Sequence, residues 1–542
     1  MDAYRFQHHP LHRRLVAHAR EMDDENRHLR RLIQDDRRLT DFSRQGGGVF
    51  FDYSRQRVID RTMALLFELA SAADVTKRFA AMASGQKVNV TEQRAALHMA
   101  ARDFSDTPLP VDGRDVKADL KEVLRQVRRF SESVHRGDIT GSTGEPFAHA
   151  VVVGIGGSYL GTAFVASALE AFADKGISLS FLANVDIHNF GAIRSRIDPR
   201  RTLWIVISKS YTTAETMANA DLIGRYLTDN GLDASKHLVT VTSKGSPGDQ
   251  GSAHGLAAFH MFDFIGGRYS VTSAVGGVPL SLYLGYDRFE RFLKGAEEMD
   301  KHALDAAPTG NLPLIAALLS VWNTSFLGYP QSAVIPYATP LNKLAPHIQQ
   351  LNMESNGKSV DAAGRFLPEP AGTVIFGEPG TNAQHSFFQL AHQGKAFPIE
   401  FIGILEPQYR MDEGEHKGVG HQQELWANQL AQATALARGR ESDNPAKSFS
   451  GNRPSSTIVL PDLEPESVGR LLAFYEARTV FEAFIWSINP FDQFGVELGK
   501  VTAGSLRSEM AQRNQNPQHS FRAVDPINRF YLEMLFDGKL RS

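Results

Sequence analysis

The stretch AVVVGIGGSYLG, residues 150–161, is where a short apolar run stops at a cluster of glycines. An apolar run of this length, bounded by a turn, is typical of a buried strand, and a helical pattern resumes after the glycines. In open α/β sheets, ligands bind at the carboxyl ends of strands, where helix N-termini offer free N–H groups to anions. The stretch therefore predicts an α/β fold. Its turn is either a phosphate-binding loop or an ordinary tight strand-to-helix connection.

Seven further short apolar runs resemble the run that begins at Ala150, which makes eight in all. Helical patterns separate them, which indicates parallel sheets with helices on both faces. They fall into two sets, the second starting after about residue 312, and so predict two α/β domains. The first set is HAVVVGIGG, ISLSFLANV, TLWIVISKS and HLVTVTSKG, and the second is QSAVIPYA, GTVIFGEPG, FPIEFIGIL and SSTIVLPDL.

The bulk composition excludes several classes of protein. The 542 residues are enough for two or more domains. A formal charge of −3 provides no field that would recruit nucleic acid or an anionic membrane. The absence of cysteine excludes disulfides, a thiolate nucleophile and a zinc–thiolate site. No run of 18 or more apolar residues occurs, and the first 20 residues lack the apolar core of a signal peptide, so we expect a cytoplasmic protein.

Both ends of the chain are predicted to be helical. Residues 1–44 are charge-dense, and their interleaved acidic residues favour a solvated helical face over a nucleic-acid-binding arm. Near the C-terminus an i, i+3, i+4, i+7, i+8 pattern predicts an amphipathic helix that covers an apolar surface, either in the protein's own core or on a partner subunit. Its apolar residues are Ile527, Phe530, Tyr531, Met534 and Leu535.

The glycine turn departs from the dinucleotide-binding fingerprint. Counting G-x-G-x-x-G from Gly154 puts Tyr159 at the last glycine position, and Gly161 comes two residues late. An oxidoreductase that holds a nicotinamide cofactor in this turn is therefore the weaker alternative. No Walker sequence is present, and His416 and His421 are spaced as in a polar loop rather than as a helical metal-binding pair, so we expect neither cofactor nor metal.

A second strand end offers a better cradle for a phosphate. The run TLWIVI is followed by SKSYTT, residues 208–213, just before a helical pattern. Its hydroxyls, its lysine and the helix N-terminus suit one phosphate dianion, because hydroxyls and amides donate hydrogen bonds and the helix dipole favours the charge. The alternative is an ordinary hydroxyl-rich helix cap.

Six motifs, in order along the chain, resemble those of the glucose-6-phosphate isomerase family. Each is weak alone, but six in the same order are hard to obtain by chance. The resemblance covers about residues 148–500. It implies two sugar isomerase (SIS) domains with parallel-rich sheets flanked by helices, a homodimer, and metal-free interconversion of glucose 6-phosphate and fructose 6-phosphate. The motifs are GIGGSYLG (154–161), SKSYTTAET (208–216), GGRYSVTSAVG (266–276), NMESNGKSVD (352–361), GEPGTNAQHSF (377–387) and NPFDQFGVELGK (489–500).

Aldose–ketose isomerisation moves one proton between neighbouring carbons, so it needs a base, a group that stabilises the enediolate and help in opening the sugar ring. By the resemblance, Glu354 is the base and Arg268 carries the charge opposite the enediolate. Arginine suits that role because it stays protonated when buried. The resemblance also implies that His385 acts in ring opening from the neighbouring subunit, and that Lys500 lies near the ring oxygen.

Substrate contacts carry over from the family in the same way. The resemblance sets the phosphate against Gly157 and Ser158 in the first turn, and it makes Gln350 and Gln493 substrate contacts. Since these residues come from different motifs, we expect the site in the cleft between the two domains. In the second loop the implied phosphate ligands are Ser208, Lys209, Ser210, Thr212 and Thr213.

Three positions depart from the family pattern. Ser210 and Tyr211 stand where threonine and phenylalanine are usual, and Ser210 keeps the hydroxyl that phosphate binding needs. Ala383 stands where glycine is common. A positive φ at that position would add about 1 kcal/mol of strain to the loop that carries His385.

We expect four regions. A helical N-terminal region (1–115) packs on the second domain, and a first SIS-type domain (116–290) holds the phosphate loops. A second SIS-type domain (291–505) holds the catalytic glutamate, histidine and lysine, and a helical tail (506–542) follows. The expected partners are a sugar phosphate and a second copy of the chain, without nucleic acid or a membrane.

Two other functions are compatible with the SIS architecture. A non-catalytic sugar-phosphate sensor would keep both phosphate loops but would not need Glu354, Arg268, His385 and Lys500 together, so their joint presence weighs against it. An isomerase with a broader range, including mannose 6-phosphate, is not distinguished, because the choice of epimer depends on the shape of the pocket near C2.

Overall fold

The computed structural model describes residues 4–250, 255–409 and 415–540. The chain divides into two compact units, Met1–Phe491 and Asp492–Ser542. In the described residues, the larger unit holds all of the strands and the smaller one is helical. Within these same ranges, every helix is too short or too polar to cross a membrane.

The strands form two large sheets and two small hairpins. Each of the eight apolar runs contains one strand of a large sheet, which confirms the predicted α/β class. The strands are β1 (Ser43–Gly46), β2 (Val49–Asp52), β3 (Pro110–Val111), β4 (Arg114–Asp115), β5 (His149–Val153), β6 (Ser178–Leu182), β7 (Thr202–Ile207), β8 (Leu238–Ser243), β9 (Ala258–Met261), β10 (Gln331–Pro336), β11 (Lys358–Val360), β12 (Phe366–Ala371), β13 (Val374–Phe376), β14 (Ile399–Ile404) and β15 (Ser455–Leu460).

Helices pack on both large sheets and connect their strands along the chain. The longest, α16, is buried along almost its whole length and packs against α11 and α12. The helices are α1 (Pro10–Glu21), α2 (Leu29–Leu32), α3 (Arg38–Asp41), α4 (Asp60–Ala72), α5 (Val75–Ala83), α6 (Val116–Arg136), α7 (Leu160–Ala168), α8 (Ile187–Arg194), α9 (Ala214–Asp229), α10 (Ala274–Leu284), α11 (Tyr286–Asp305), α12 (Leu312–Val321), α13 (Leu344–Ile348), α14 (Phe388–Gln393), α15 (His421–Arg438), α16 (Pro465–Trp486), α17 (Glu497–Gln515) and α18 (Pro526–Asp537).

The first large sheet has the strand order β6-β5-β7-β8-β9, and all of its strands are parallel. Its inner strand β5 is buried on both faces. Val151 and Val153 pack on one side with Trp204, while Ala150 and Val152 join the main core on the other. This two-sided burial explains why the strand reads as a continuous apolar run rather than as an alternating one.

The second large sheet has the order β1-β2-β15-β14-β10-β13. Its last four strands are parallel, and β2 pairs with β15 in antiparallel fashion. The hairpin β1–β2 was not predicted, since the sequence around it reads as helical. Gly47 and Gly48 have φ of +52° and +71°, which makes its tight turn, and Val49 and Phe51 bury its inner face.

The smaller unit consists of α17 and α18. Phe521, Val524 and Leu532 form its own apolar cluster. The amphipathic helix predicted near the C-terminus is therefore present as α18. Its stripe is not covered by the unit's own cluster, because four members of the stripe are exposed: Ile527, Phe530, Tyr531 and Leu535.

Candidate functional site

The two predicted phosphate loops lie side by side at the carboxyl edge of the first sheet. β5 and β7 are parallel neighbours, and Val153 is paired with Val206. The chain leaves β5 at Gly154 and leaves β7 at Ser208, so both loops start at the same level. A Cβ on Gly154 would lie 3.1 Å from the carbonyl oxygen of Ile207. The sheet thus brings together loops that are about 50 residues apart in the chain.

The glycine turn is pressed against a second glycine pair. Gly156 has φ of +58°, a conformation that favours glycine. A Cβ on Gly157 would lie 2.3 Å from the carbonyl carbon of Gly267, so no larger residue fits there without movement. Ser270 Oγ approaches the carbonyl oxygen of Gly157 at 3.4 Å. The turn is therefore fixed beside Arg268, the residue that follows Gly267.

The second loop presents hydroxyls in front of helix α9. Ser208 is buried, with its Oγ 3.4 Å from Thr213 Oγ1. Ser210 and Thr212 are exposed, and their hydroxyl oxygens are 2.6 Å apart. Thr213 is the N-cap residue of α9, but its side chain does not cap the helix, so the hydroxyl and the first N–H groups remain available to an anion.

Lys209 and Tyr211 shape the same loop. Lys209 Nζ lies 3.2 Å from a carboxylate oxygen of Asp263, which holds the lysine beside the hydroxyls. Tyr211 has φ of +55°, in the left-handed region, and its ring covers Gly248 so closely that a Cβ there would be 2.4 Å from the ring. Packing of this ring stabilises a backbone conformation that a tyrosine rarely adopts.

Arg268 and Glu354 form an ion pair next to the glycine turn. Arg268 Nη1 is 3.4 Å from Glu354 Oε1, and the two side chains are 2% and 22% exposed. The guanidinium also donates from Nε to Ser355 Oγ at 2.7 Å and from Nη2 to the carbonyl oxygen of Pro490 at 2.6 Å. A buried cation, fixed by Ser355 and Pro490, thus faces a carboxylate that is partly open to solvent.

Glu354 ends a π-helix, Gln349–Glu354, which continues α13. Such segments are rare and are frequent at functional sites. The π-helix also carries Gln350, whose Nε2 lies 3.1 Å from the position that a Cβ on Gly156 would take. In the described part of the chain, the buried Oε1 of Gln350 has no hydrogen-bond partner. The segment therefore brings the candidate base and a free amide oxygen to the glycine turn.

The other predicted site residues, His385, Gln493 and Lys500, take no part in the contacts around Arg268 and Glu354 described above. His385 is exposed at the end of a short helix, Asn382–His385. Ala383 in that helix is fully buried and does not have a positive φ, so the strain considered above does not arise. Gln493 and Lys500 are exposed and belong to the smaller unit.

Across the described ranges, no cluster of three or more His, Asp or Glu side chains is arranged to hold a metal ion.

Two residues that support the site were not predicted. Ser355 accepts from Arg268, and the hydroxyl of Tyr269 lies 3.0 Å from Ser355 Oγ. Burial raises the pKa of Tyr269 to about 12, so its hydroxyl stays protonated. Both residues directly follow a predicted catalytic residue, in NMESNGK and GGRYS, and that position in the motif was the only available signal.

Comparison with known proteins gives consistent results. The family model for phosphoglucose isomerase matches residues 52–523. A glucose-6-phosphate isomerase of Desulfosudis oleivorans is 61% identical over 529 residues, 97% of each chain. A cytosolic glucose-6-phosphate isomerase of Arabidopsis thaliana is 43% identical over 508 residues, 90% of each chain. The crystal structure of a glucose-6-phosphate isomerase from Chlamydia trachomatis superposes with a TM-score of 0.89 at 36% identity, covering 99% of this chain and 100% of that one.

Proposed function

Since the chain belongs to the phosphoglucose isomerase family and so interconverts glucose 6-phosphate and fructose 6-phosphate, we propose that Glu354 is the base of this reaction. The observation that carries the proposal is the Arg268–Glu354 pair, 3.4 Å apart beside the glycine turn. Glu354 takes the proton from C2 of the open-chain aldose and returns it to C1. Meanwhile the C1 carbonyl becomes a hydroxyl, and the C2 hydroxyl becomes a carbonyl.

Arg268 stabilises the enediolate formed between the two proton transfers. Its Nε and Nη2 atoms are already bound to Ser355 and to Pro490, so the plane of the guanidinium is set before substrate arrives. A preorganised buried cation stabilises developing negative charge more strongly than one that must reorient. The free Oε1 of Gln350 accepts a hydrogen bond from a substrate hydroxyl.

The phosphate of the substrate binds at the carboxyl edge of the first sheet. Gly157 contributes its backbone N–H from the glycine turn. Ser158 contributes its hydroxyl, because its N–H already donates to the carbonyl oxygen of Ile155. Lys209 contributes positive charge. These groups hold the phosphate, and the sugar chain then extends towards Glu354. The other hydroxyl donors are Ser208, Ser210, Thr212 and Thr213.

Ring opening is assigned to His385 of the partner subunit, together with Lys500 and Gln493. The exposure of His385 in the single chain supports this proposal, since the side chain is accessible to a second copy. The active form is then a homodimer, with a site at the cleft of the two SIS-type domains at 116–290 and 291–505. We also propose a cytosolic location, as in the Arabidopsis relative, and a role in glycolysis and gluconeogenesis.

Turnover of fructose 6-phosphate by purified protein treated with EDTA tests the metal-free reaction. We expect full activity, because every proposed step uses a side chain of the protein. A Glu354→Gln preparation, purified in parallel, controls for isomerase from the expression host. Folded protein that binds fructose 6-phosphate without turning it over would support the sensor alternative instead.

Replacement of the base gives the largest expected loss of activity. Glu354→Gln removes the proton acceptor but keeps the size of the side chain, so kcat falls by several orders of magnitude while KM changes little. Steady-state kinetics on protein with a wild-type melting temperature make the measurement. Near-normal kcat in this variant would exclude Glu354 as the base.

Mixed dimers test the proposed contribution of His385 across the interface. Subunits carrying His385→Ala and subunits carrying Glu354→Gln are each inactive, but a mixed dimer contains one site with both residues intact. We expect recovery of up to about half of the wild-type activity per mixed dimer, one intact site of two. No recovery in purified mixed dimers would assign His385 to the site of its own chain.

A further inference from the structure

A buried carboxylate on α16 holds the two asparagines that flank Glu354. Glu482 is fully buried, and its Oε2 accepts from Asn352 Nδ2 at 2.6 Å and from Asn356 Nδ2 at 2.9 Å. Its Oε1 accepts from Arg478 Nε at 2.9 Å. Every oxygen of this carboxylate is therefore engaged, and two of its three partners flank the proposed base at two residues on either side.

The arginine is itself fixed to the second sheet. Arg478 Nη1 lies 3.0 Å from an oxygen of Glu400 on β14, and the hydroxyl of Tyr475 donates to the same carboxylate. All of these groups are buried. The chain of contacts runs from the sheet through α16 to the π-helix, so the position of the π-helix is tied to the domain core.

The spacing of the two asparagines determines where Glu354 points. Asn352 and Asn356 are one helical turn apart and share the face that meets α16. Glu354 lies two residues from each, so its side chain leaves the helix about half a turn away, on the side of Arg268. Holding the two amides against Glu482 therefore holds the carboxylate of Glu354 towards the substrate.

We propose that Glu482 is a positioning residue for the isomerisation, acting through Asn352 and Asn356 to aim Glu354 at the substrate carbon, an inference that rests on the proposed role of Glu354. Proton transfer from carbon depends steeply on distance, and a displacement of about 1 Å costs about 100-fold in rate. An acceptor that receives both amides at once restrains such a displacement. A carboxylate oxygen does so, since it has more than one lone pair and no hydrogen.

The test compares Glu482→Leu with Glu482→Gln. Leucine has a similar volume but no acceptor, so we expect kcat to fall about 100-fold with KM changed less than about three-fold. Glutamine keeps one acceptor oxygen, so kcat of Glu482→Gln should be about ten-fold higher than kcat of Glu482→Leu. The primary isotope effect on kcat with glucose 6-phosphate deuterated at C2 should rise in Glu482→Leu, because proton abstraction becomes slower relative to the other steps.

Glu476 provides the matched control. It lies on the same helix, is equally buried and pairs with Arg102 at 2.5 Å. Among the described residues, its carboxylate makes no hydrogen bond to the π-helix. Glu476→Leu should lower the melting temperature while leaving kcat and the isotope effect unchanged. If Glu482→Leu does not fold, Asn356→Leu removes one arm of the contact and should lower kcat about ten-fold with a raised isotope effect.

The outcomes separate this inference from the proposed function. Wild-type kcat and isotope effect in folded Glu482→Leu, or an equal loss in Glu476→Leu, would overturn the positioning role. If Glu354→Gln is inactive in the same experiments, only the inference fails. If Glu354→Gln keeps near-normal turnover, the assignment of the base fails, and the positioning role fails with it.

Discussion

The proposed phosphate loop and the Arg268–Glu354 centre both adjoin the glycine turn, yet they are built in opposite ways. The loop at residues 208–213 is made of consecutive residues, and two of its hydroxyls bond to each other at the surface. Arg268 is buried, and its partners Ser355 and Pro490 are 87 and 222 residues away in the chain. In the proposed mechanism, the hydroxyls that bind the phosphate come from one local segment, while proton transfer depends on the packing of distant segments. Changes in the loop should affect KM, and changes at the centre should affect kcat.

The largest effect that follows from this difference is a loss of kcat when Arg268 is replaced by a residue that keeps the positive charge but not the geometry of the guanidinium. Arg268→Lys leaves an ammonium that cannot hold Ser355, Pro490 and Glu354 in one plane. We expect kcat to fall about 100- to 1,000-fold, with a smaller change in KM, measured by steady-state kinetics. Arg291→Lys, at a half-exposed ion pair with Glu466, is the control and should be neutral. A loss confined to KM would place Arg268 in binding rather than in catalysis.

A second effect concerns stability rather than catalysis: the buried carboxyl of Glu476 should make the free energy of unfolding depend on pH. Burial raises the pKa of Glu476 from its ordinary 4.5 to about 7. The Arg102 guanidinium lowers this pKa, but it also pairs with Asp300, whose negative charge raises the pKa of Glu476 again. The folded state then binds more protons than the unfolded state between pH 4.5 and 7, so this group makes the free energy of unfolding fall as pH rises through that window. In Glu476→Gln this contribution is absent.

Denaturant unfolding of Glu476→Gln and wild type across pH 4.5 to 8 measures that difference. Relative to wild type, the variant should gain about 3 kcal/mol between the two ends of the range. Its kcat should stay at the wild-type value at pH 7. A pH-independent difference in the free energy of unfolding would show that Glu476 is ionised throughout.

The contact between Gly157 in the glycine turn and Gly267 beside Arg268 gives an effect of intermediate size on both KM and kcat. A Cβ on Gly157 collides with Gly267, the residue before Arg268, so Gly157→Ala moves the phosphate turn and the arginine together. We expect KM to rise and kcat to fall, each by about ten-fold. The melting temperature should fall as well, because a clash with backbone atoms costs about 1–3 kcal/mol of stability. Gly191→Ala, where φ is not positive and the space is open, controls for the added methyl group alone. A change in KM only would mean that the turn moves without Arg268.

The smallest effect is expected inside the loop itself. Thr212→Ala removes one exposed hydroxyl that hydrogen-bonds to Ser210, and the phosphate loses one charged hydrogen bond. KM should rise about ten-fold with kcat unchanged, because such a bond contributes about 1.5 kcal/mol. Thr228→Ala, on the exposed end of α9, is the matched control. A fall in kcat would contradict the separation of binding from chemistry.

Much of the fold could be predicted from the sequence because its signals are local. Buried parallel strands such as β5 and β7 are continuous apolar runs, and both end at glycine or hydroxyl clusters. The hairpin β1–β2 escaped prediction, since its strands have four residues each and lie among helical patterns. His385, Lys500 and Gln493 stay predictions, because their proposed roles depend on a second subunit or on the smaller unit.

The amino-acid sequence by itself determined the α/β class, the positions of the two proposed phosphate loops and the candidate base and cation. It did so because strand periodicity, glycine turns and motif order are properties of neighbouring residues. Only the tertiary structure decided which polar groups are buried together. Ser355 under Arg268 and Glu482 under the Glu354 segment look like ordinary helix residues in the chain. Their roles arise from partners 87 and 130 residues away, which packing alone brings within hydrogen-bond distance.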